Sequence, residues 1–435
     1  MKKRLICLLL ALGLSVSAGG MSTLAAQPVV KIPISSGGVR DDLSGMNGGG
    51  KLTVASVGDV TLRGDDVSIG TRFTGDYDTT VLPKDLVSQL PGKNSLTVDG
   101  QNGTLAMNGG VLDTLQDAPL DIVFKNDADS REDATPAQKK VLESIDAAAA
   151  ADIRLRQSGS DVDLGRLTGI AAEDGLDFDG DLPLLVITPR LSREQKAQLI
   201  GGAKGLYIAP DGSTQKIPLR ANSLGELSLL TTHPSLYAIV PAECAHDAAC
   251  PVASFRDLDA DAWYHDGVHA CAVLGLMQGV GDRTFQPDGV LTRAQFVTML
   301  WRLAGEPSVN GDELHEFSDV GSGGYYAAAV QWVAASGIAA GTSATTFSPD
   351  APITREQMAA MLFRYAVYGG LAAVTLSENL SSFPDVQQLS AWAVPAMQWA
   401  VGAGIITGTA DGALAPQKAA TRAQAAAILA RYLKK

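Results

Sequence analysis

Three arginines share one setting in this 435-residue chain. Arg293, Arg355 and Arg422 stand in Leu291-Thr-Arg-Ala-Gln295, Ile353-Thr-Arg-Glu-Gln357 and Ala420-Thr-Arg-Ala-Gln424. The threonine and the glutamine three residues on form a capping box, which satisfies two backbone donors at the start of a helix. The arginine then falls at the first helical position. The helix dipole is positive there, and a cation costs about 0.3–1 kcal/mol. Folding alone favours Asp, Glu or Pro at such a place. Two explanations suit an arginine: an anion bound by its guanidinium and open backbone N–H groups, or an ion pair with an acid of its own repeat, such as Asp257 or Asp319.

Other chemistry-bearing residues are fewer. Cys244 and Cys250, in Ala-Glu-Cys-Ala-His-Asp-Ala-Ala-Cys, could close a small disulfide loop outside the cytosol. His246 between them invites a metal, but no fourth ligand is evident for a tetrahedral site, so no metal is expected. Cys271 lies on an apolar helix face and reads as core. Asp177-Phe-Asp-Gly-Asp181 has acids in the manner of a calcium loop without the rest of its spacing, and an acidic turn is the expectation. His233, in Thr-Thr-His-Pro, reads as a strand-end residue rather than a base. No nucleophile elbow, zinc-protease helix, P-loop or dinucleotide glycine pattern occurs. No cofactor is implied.

The elements that position the arginines are repeated. Phe255-x-Asp257, Phe317-x-Asp319 and Phe383-x-Asp385 open three segments. Each continues with an aromatic (Trp263, Tyr325, Trp392), two glycines four residues apart (Gly275 and Gly279, Gly337 and Gly341, Gly404 and Gly408), then Phe285-Gln-Pro287, Phe347-Ser-Pro349 or Leu414-Ala-Pro416, and the Thr-Arg motif. The distance from Phe to Arg is 38, 38 and 39 residues, so these are internal repeats. Val268, Cys271, Ala272 and Gly275 give a first helix its stripe, and Phe296, Met299, Leu300 and Leu303 a second. Each unit therefore reads as helix, loop, helix.

With these motifs in view, residues 255–435 resemble three S-layer homology (SLH) domains. The resemblance implies an all-α cassette with a central bundle of three helices and three prongs. It also implies non-covalent binding of a secondary cell wall polysaccharide, often pyruvylated, in grooves between neighbouring copies. Carried over residue by residue, the ligand positions are Arg293, Arg355, Arg422, Gly279, Gly341 and Gly408, with Trp263, Tyr325, Trp392, Asp257, Asp319 and Asp385. This sequence has Gln where the family usually has Glu after Thr-Arg-Ala. Copy three carries the smaller Leu414 and Ala420, which makes its groove the weakest of the three. The cassette holds 11 Lys/Arg against 16 Asp/Glu, a net −5, so recognition must come from placed arginines and aromatic faces.

The whole chain has charge −13, which excludes nucleic acid, since phosphate binding needs a basic face. Lys2, Lys3 and Arg4 before Leu5–Leu14 form a secretory signal peptide within 1–26, cleaved after Ala18 or Ala26. The mature form is then expected to have no membrane segment. Residues 27–50 read as a flexible lead-in, 51–130 as a β-rich module, 131–242 as a second, sandwich-like β module with a leading helix over Ala134–Ala151, and 243–254 as a linker. SLH copies follow at 255–305, 317–369 and 383–435. The expected architecture is thus multidomain, mainly β and then all-α. The expected function is a wall-anchored, non-enzymatic surface protein of a Gram-positive type of bacterium, with a structural or adhesive β module and possible contacts to other surface proteins. The alternative is a wall-anchored hydrolase with its active site in 51–240, because paired carboxylates gain their spacing only in the fold.

Overall fold

The computed structural model describes residues 30–31, 50–53, 59–63, 66–70, 77–162, 164, 184–222, 224–309, 317–370 and 380–435. The signal peptide, most of the lead-in and Asp177–Asp181 lie outside them. The chain forms two compact units: the described residues up to Asn222 with Glu226–Cys250, and Pro251–Lys435 with the stretch at Gly225.

The first unit is a pair of β-sheets. One runs in the order Val30–Lys31, Asp59–Arg63, Asp66–Gly70, Ser95–Asp99, Gly103–Asn108, Leu185–Pro189, Leu227–Thr231, Leu219–Ala221. The other runs Thr214–Ile217, Ala203–Ile208, Leu236–Pro241, Ala149–Gln157, Leu120–Asn126, Tyr77–Leu82, Gly50–Thr53. Pairing is antiparallel except between Gly50–Thr53 and Tyr77–Leu82 and between Asp66–Gly70 and Ser95–Asp99. Apolar residues alternate along the strands, so Leu105, Met107, Ile153, Leu155, Leu185 and Ile187 are buried. Gly205 shows how closely the sheets face each other: a Cβ there would lie 2.7 Å from a methyl of Leu229.

The division at residue 130 does not separate two modules. Leu120–Asn126 pairs along its length with Ala149–Gln157, and Gly103–Asn108 with Leu185–Pro189, so strands from both sides of the boundary share both sheets. The helix after it is shorter than expected. It spans Pro136–Ser144 behind a Thr135 capping box, and Ala149–Ala151 belongs to a strand. Its inner face packs with Ala150, Ile208, Leu236, Ala238 and Val240 on the second sheet. Alanines at 147–151 fit a helix by propensity, but pairing to Leu236–Pro241 decides otherwise.

The second unit carries the repeats. First helices span His265–Val273, Ala327–Ala335 and Val394–Gly402; second helices span Arg293–Leu303, Arg355–Tyr368 and Arg422–Leu433. Each second helix packs chiefly against the first helix of the next repeat, and the third repeat's packs against that of the first. The contact is close. Gly267 meets Ala427, where an added Cβ would come within 2.6 Å of the backbone nitrogen. The unit is not purely helical, as bridges join Val290 to Thr421, Thr292 to Pro352 and Thr354 to Ala419 across repeats. At the same level three amides close a ring: Leu291 N–H donates to Ala420 O, Ala420 N–H to Ile353 O, and Ile353 N–H to Leu291 O. The three copies are thus joined cyclically, an arrangement that no single repeat can make.

Candidate functional site

Every motif threonine side chain accepts a hydrogen bond from the N–H of its glutamine, and every glutamine Oε1 accepts one from the threonine N–H. The next two backbone donors do not face solvent. Arg293 N–H donates to Ala351 O and Ala294 N–H to Pro349 O; Arg355 and Glu356 do the same to Lys418 and Pro416, and Arg422 and Ala423 to Gly289 and Pro287. The helix starts are therefore occupied by the following repeat, and the open anion site expected from the sequence is absent there.

The arginine side chains follow their backbones. Arg293 donates from Nε to Phe347 O at 3.1 Å and from Nη2 to Ala340 O at 3.0 Å. Arg422 donates from Nε to Phe285 O at 2.7 Å and from Nη2 to Gln278 O at 2.6 Å. Arg355 makes the first of these bonds, to Leu414 O at 2.8 Å. The guanidinium groups of Arg293 and Arg422 also lie over the rings of Phe347 and Phe285, at 4.8 and 4.5 Å from their centroids. All three arginines are buried, and burial lowers their proton affinity. Among the described residues, no ion pair joins these arginines to an acid of their own repeat. Asp319 acts on Arg293, Asp385 on Arg355 and Asp257 on Arg422, each from the next repeat.

Those aspartates have a local task. Phe285 and Gln286 N–H donate to the two oxygens of Asp257, Phe347 and Ser348 to Asp319, and Leu414 and Ala415 to Asp385. The turn they hold is strained, because Gln286, Ser348 and Ala415 have φ of 58°, 58° and 47°. Burial pushes the Asp319 carboxyl up, but the Phe347 and Ser348 amides and Arg293 outweigh it and hold it below the ordinary range. The glycines are demanded by close backbone first: a Cβ would lie 2.7 Å from Thr284 O at Gly279 and 2.5 Å from Ser343 O and Thr346 O at Gly341. A Cβ on Gly279 or Gly341 would stand 2.8 Å from the ring of Phe255 or Phe317. Gly408 differs from both in its left-handed φ of 86°.

What remains open to solvent is aromatic. Trp263, Tyr325 and Trp392 are 64%, 63% and 53% exposed, against the usual burial of such residues. Tyr325 is close enough to Arg422 and Arg302 to act on them electrostatically. A second arginine set went unnoticed in the sequence. Arg302, Arg364 and Arg431, each nine residues after a motif arginine, donate to Leu276, Ile338 and Ile405 O just past each Gly that ends a first helix. The constant offset of nine was the available signal.

The cysteines are not bridged. Cys244 and Cys250 form no disulfide, contrary to what their spacing suggests. Cys271 is fully buried, and burial pushes its thiol up to about 12. His265 and His269 are both buried on one helix, with ring centroids 5.8 Å apart. His233 stacks edge-on against Tyr207 at 4.7 Å. In the β unit, Lys125 gathers Asp133 at 2.9 Å, Glu132 at 3.1 Å and Asp78 at 3.6 Å. Its hydrogen bond holds the Asp133 carboxyl down, while burial pushes that of Asp152 up. Asp78 also lines a small pocket with Thr80, Asn102 and Phe124. No helix among the described residues is long and apolar enough to cross a membrane.

Comparison with known proteins picks out the same three repeats. The S-layer homology domain model matches residues 254–297, 316–359 and 382–426, so the chain carries three S-layer homology domains. Domains of this kind bind secondary polymers of the cell wall, and they place the chain at the cell surface or wall of Gram-positive bacteria. Relatives include exoglucanase XynX of Acetivibrio thermocellus (34% identity, 42% of this chain, 16% of the relative) and amylopullulanase of Thermoanaerobacterium thermosulfurigenes (32%, 49% and 11%). Another is the surface-layer 125 kDa protein of Lysinibacillus sphaericus (32% identity, 31% and 11%). The chain thus spans less than a fifth of the length of each of these. The expectation of a non-enzyme is overturned here, because glycoside hydrolases stand among the relatives.

Proposed function

We propose that the three repeats hold this protein non-covalently to an anionic, pyruvylated secondary wall polymer. An N-terminal leader would export it, and the β unit would be displayed on the wall. The observation that carries this is the threefold set of exposed aromatics, Trp263, Tyr325 and Trp392, one in each repeat. An exposed ring suits the apolar face of a sugar. The arginine bonds to neighbouring carbonyls support the same reading, since they make each groove from two repeats.

Co-sedimentation with purified wall sacculi tests it. The protein should pellet with intact sacculi and stay in solution with sacculi stripped of secondary polymer. Equal binding to both would sink the proposal. Trp263→Ala, Tyr325→Ala and Trp392→Ala, at solvent-facing positions, should weaken pelleting without lowering the melting temperature.

A second reading has an observation behind it. The relatives named as exoglucanase and amylopullulanase favour a wall-anchored hydrolase, in which Asp78 and Asp133 beside Lys125 would be the first carboxylates to replace. Release of reducing ends from glucan or xylan, abolished by Asp78→Asn, would establish it; no release from any glycan offered would remove it.

A further inference from the structure

A different chemistry is gathered just ahead of the first repeat, and we propose that it is a structural zinc site made by Cys244, Cys250, His265 and His269. One donor atom from each of the four lies within 4.8 Å of the other three. All four fall in one continuous stretch of 26 residues, as Cys-x5-Cys, fourteen residues, then His-x3-His. By sequence the search for ligands centred on His246, which stands between the cysteines. His246 is not among the four, and the remaining pair comes from the helix that follows.

Local structure accounts for each donor. Cys244 follows the strand Leu236–Pro241, and its backbone is so near Gly202 that a Cβ there would lie 2.5 Å from Cys244 N. The chain then turns back on itself. His246 is left-handed with φ 56°, Ala249 N–H donates to Asp247 Oδ1 at 2.9 Å, and Cys250 N–H donates to Asp247 O at 2.9 Å. Cys250 leads directly into the short 3-10 helix Pro251–Ser254, which packs on the helix His265–Val273. On that helix His265 and His269 are four residues apart and share a face. His265 Nδ1 lies 3.2 Å from Asp266 Oδ1. A proton held between them leaves Nε2 as the metal donor, with the carboxylate fixing the ring as in other zinc sites. Cys271 takes no part, because its sulfur is directed at Ala426 O, 3.9 Å away.

Cys250, His265 and His269 are buried and Cys244 is half-buried. A core position favours an apolar side chain, since an imidazole brings two polar nitrogens with it. Two imidazoles and two thiols in one place make sense as ligands. Zinc takes such donors in a tetrahedron, with Zn–S of about 2.3 Å and Zn–N of about 2.0–2.1 Å. The edges of that tetrahedron are about 3.3–3.8 Å, so the widest separation closes by about 1 Å on binding. Both thiols release their protons to solvent and bind as thiolates. Their two charges cancel that of Zn2+ and leave a neutral buried centre. Four protein donors leave no position for water, so the site is structural rather than catalytic. A disulfide between the same two cysteines would remove both thiolates, so the two states exclude one another.

The full-length chain, purified without chelator, should contain about one zinc per molecule, with Cys244 and Cys250 reduced by mass measurement. After chelation, Co2+ should give the visible bands of a tetrahedral ion together with a thiolate charge-transfer band. Zn2+ at hundredfold excess over its dissociation constant should raise the melting temperature of the apo-protein by on the order of 5–10 °C. Cys244→Ser, at the half-exposed corner, should fold and bind zinc at least about tenfold more weakly, whereas His246→Asn should bind as wild type. Folded, reduced wild-type protein that binds no Co2+ would overturn the site, as would a Cys244–Cys250 disulfide in the protein as purified. Cobalt bands unchanged in Cys244→Ser would overturn it too.

Discussion

At the residue scale, the Thr-Arg-x-Gln motif divides into a part that sequence explains and a part it does not. Thr354 and Gln357 are a capping box because their types and spacing allow little else. Arg355 is unfavourable at its own helix start, and the sequence shows that much. Its acceptor is Leu414 O, 59 residues away, and no local spacing could point there. The same holds for Asp319, which resembles a ligand group in sequence and serves as the clasp of a strained turn. Replacing Asp319 by Ala leaves two turn amides without their acceptor and should cost about 1–3 kcal/mol. The effect should depend on pH. The folded carboxyl of Asp319 is held below its ordinary value, so its contribution is complete above about pH 4 and fades as pH falls through the folded value. Denaturant titrations of wild type and Asp319→Ala should differ at pH 7, and the difference should shrink as the medium is made acid.

At the element scale, the second helices were legible and the strand partners were not. Helix stripes and caps are local signals, and the second helices begin where Thr292, Thr354 and Thr421 put them. The β-rich character of 51–130 and 131–242 was legible as well, and strands such as Ser95–Asp99, Leu120–Asn126 and Ala149–Gln157 lie there. Which strand lies beside which is set by contacts far along the chain, so a boundary at residue 130 looked natural and was wrong. Element packing makes its own prediction. Gly267, on the first helix of repeat one, lies against Ala426–Ala427 on the second helix of repeat three. Gly267→Ala would improve helix propensity by about 1 kcal/mol in isolation. Here its Cβ meets backbone at 2.6 Å, which cannot yield as a flexible side chain does. The variant should therefore melt lower than wild type, a loss of about 1–3 kcal/mol from overpacking. An unchanged or raised melting temperature would mean that the two helices are not so closely apposed.

At the scale of the whole helical unit, closure is the property that matters. Repeat one clasps repeat two through Arg293, repeat two clasps repeat three through Arg355, and repeat three returns to repeat one through Arg422. Leu291, Ile353 and Ala420 close the same cycle in backbone bonds. An open array of repeats loses stability by increments as units are removed; a closed one loses two interfaces at a single cut. Deleting residues 383–435 leaves the Arg355 guanidinium and the Arg355 and Glu356 amides without their carbonyls. It also takes Arg422–Leu433 from the face of His265–Val273, where Val268 and Cys271 are fully buried. Cys271 reports on this directly. In the intact chain it is enclosed and its thiol is pushed up to about 12, so a thiol reagent at pH 8 should not reach it. In a Cys244→Ser, Cys250→Ser background, the truncated protein should label rapidly at Cys271 and lose its cooperative thermal transition in the helical unit, whereas the full-length protein should resist labelling until it melts. Slow labelling of the truncated chain would show that two repeats suffice for a closed core.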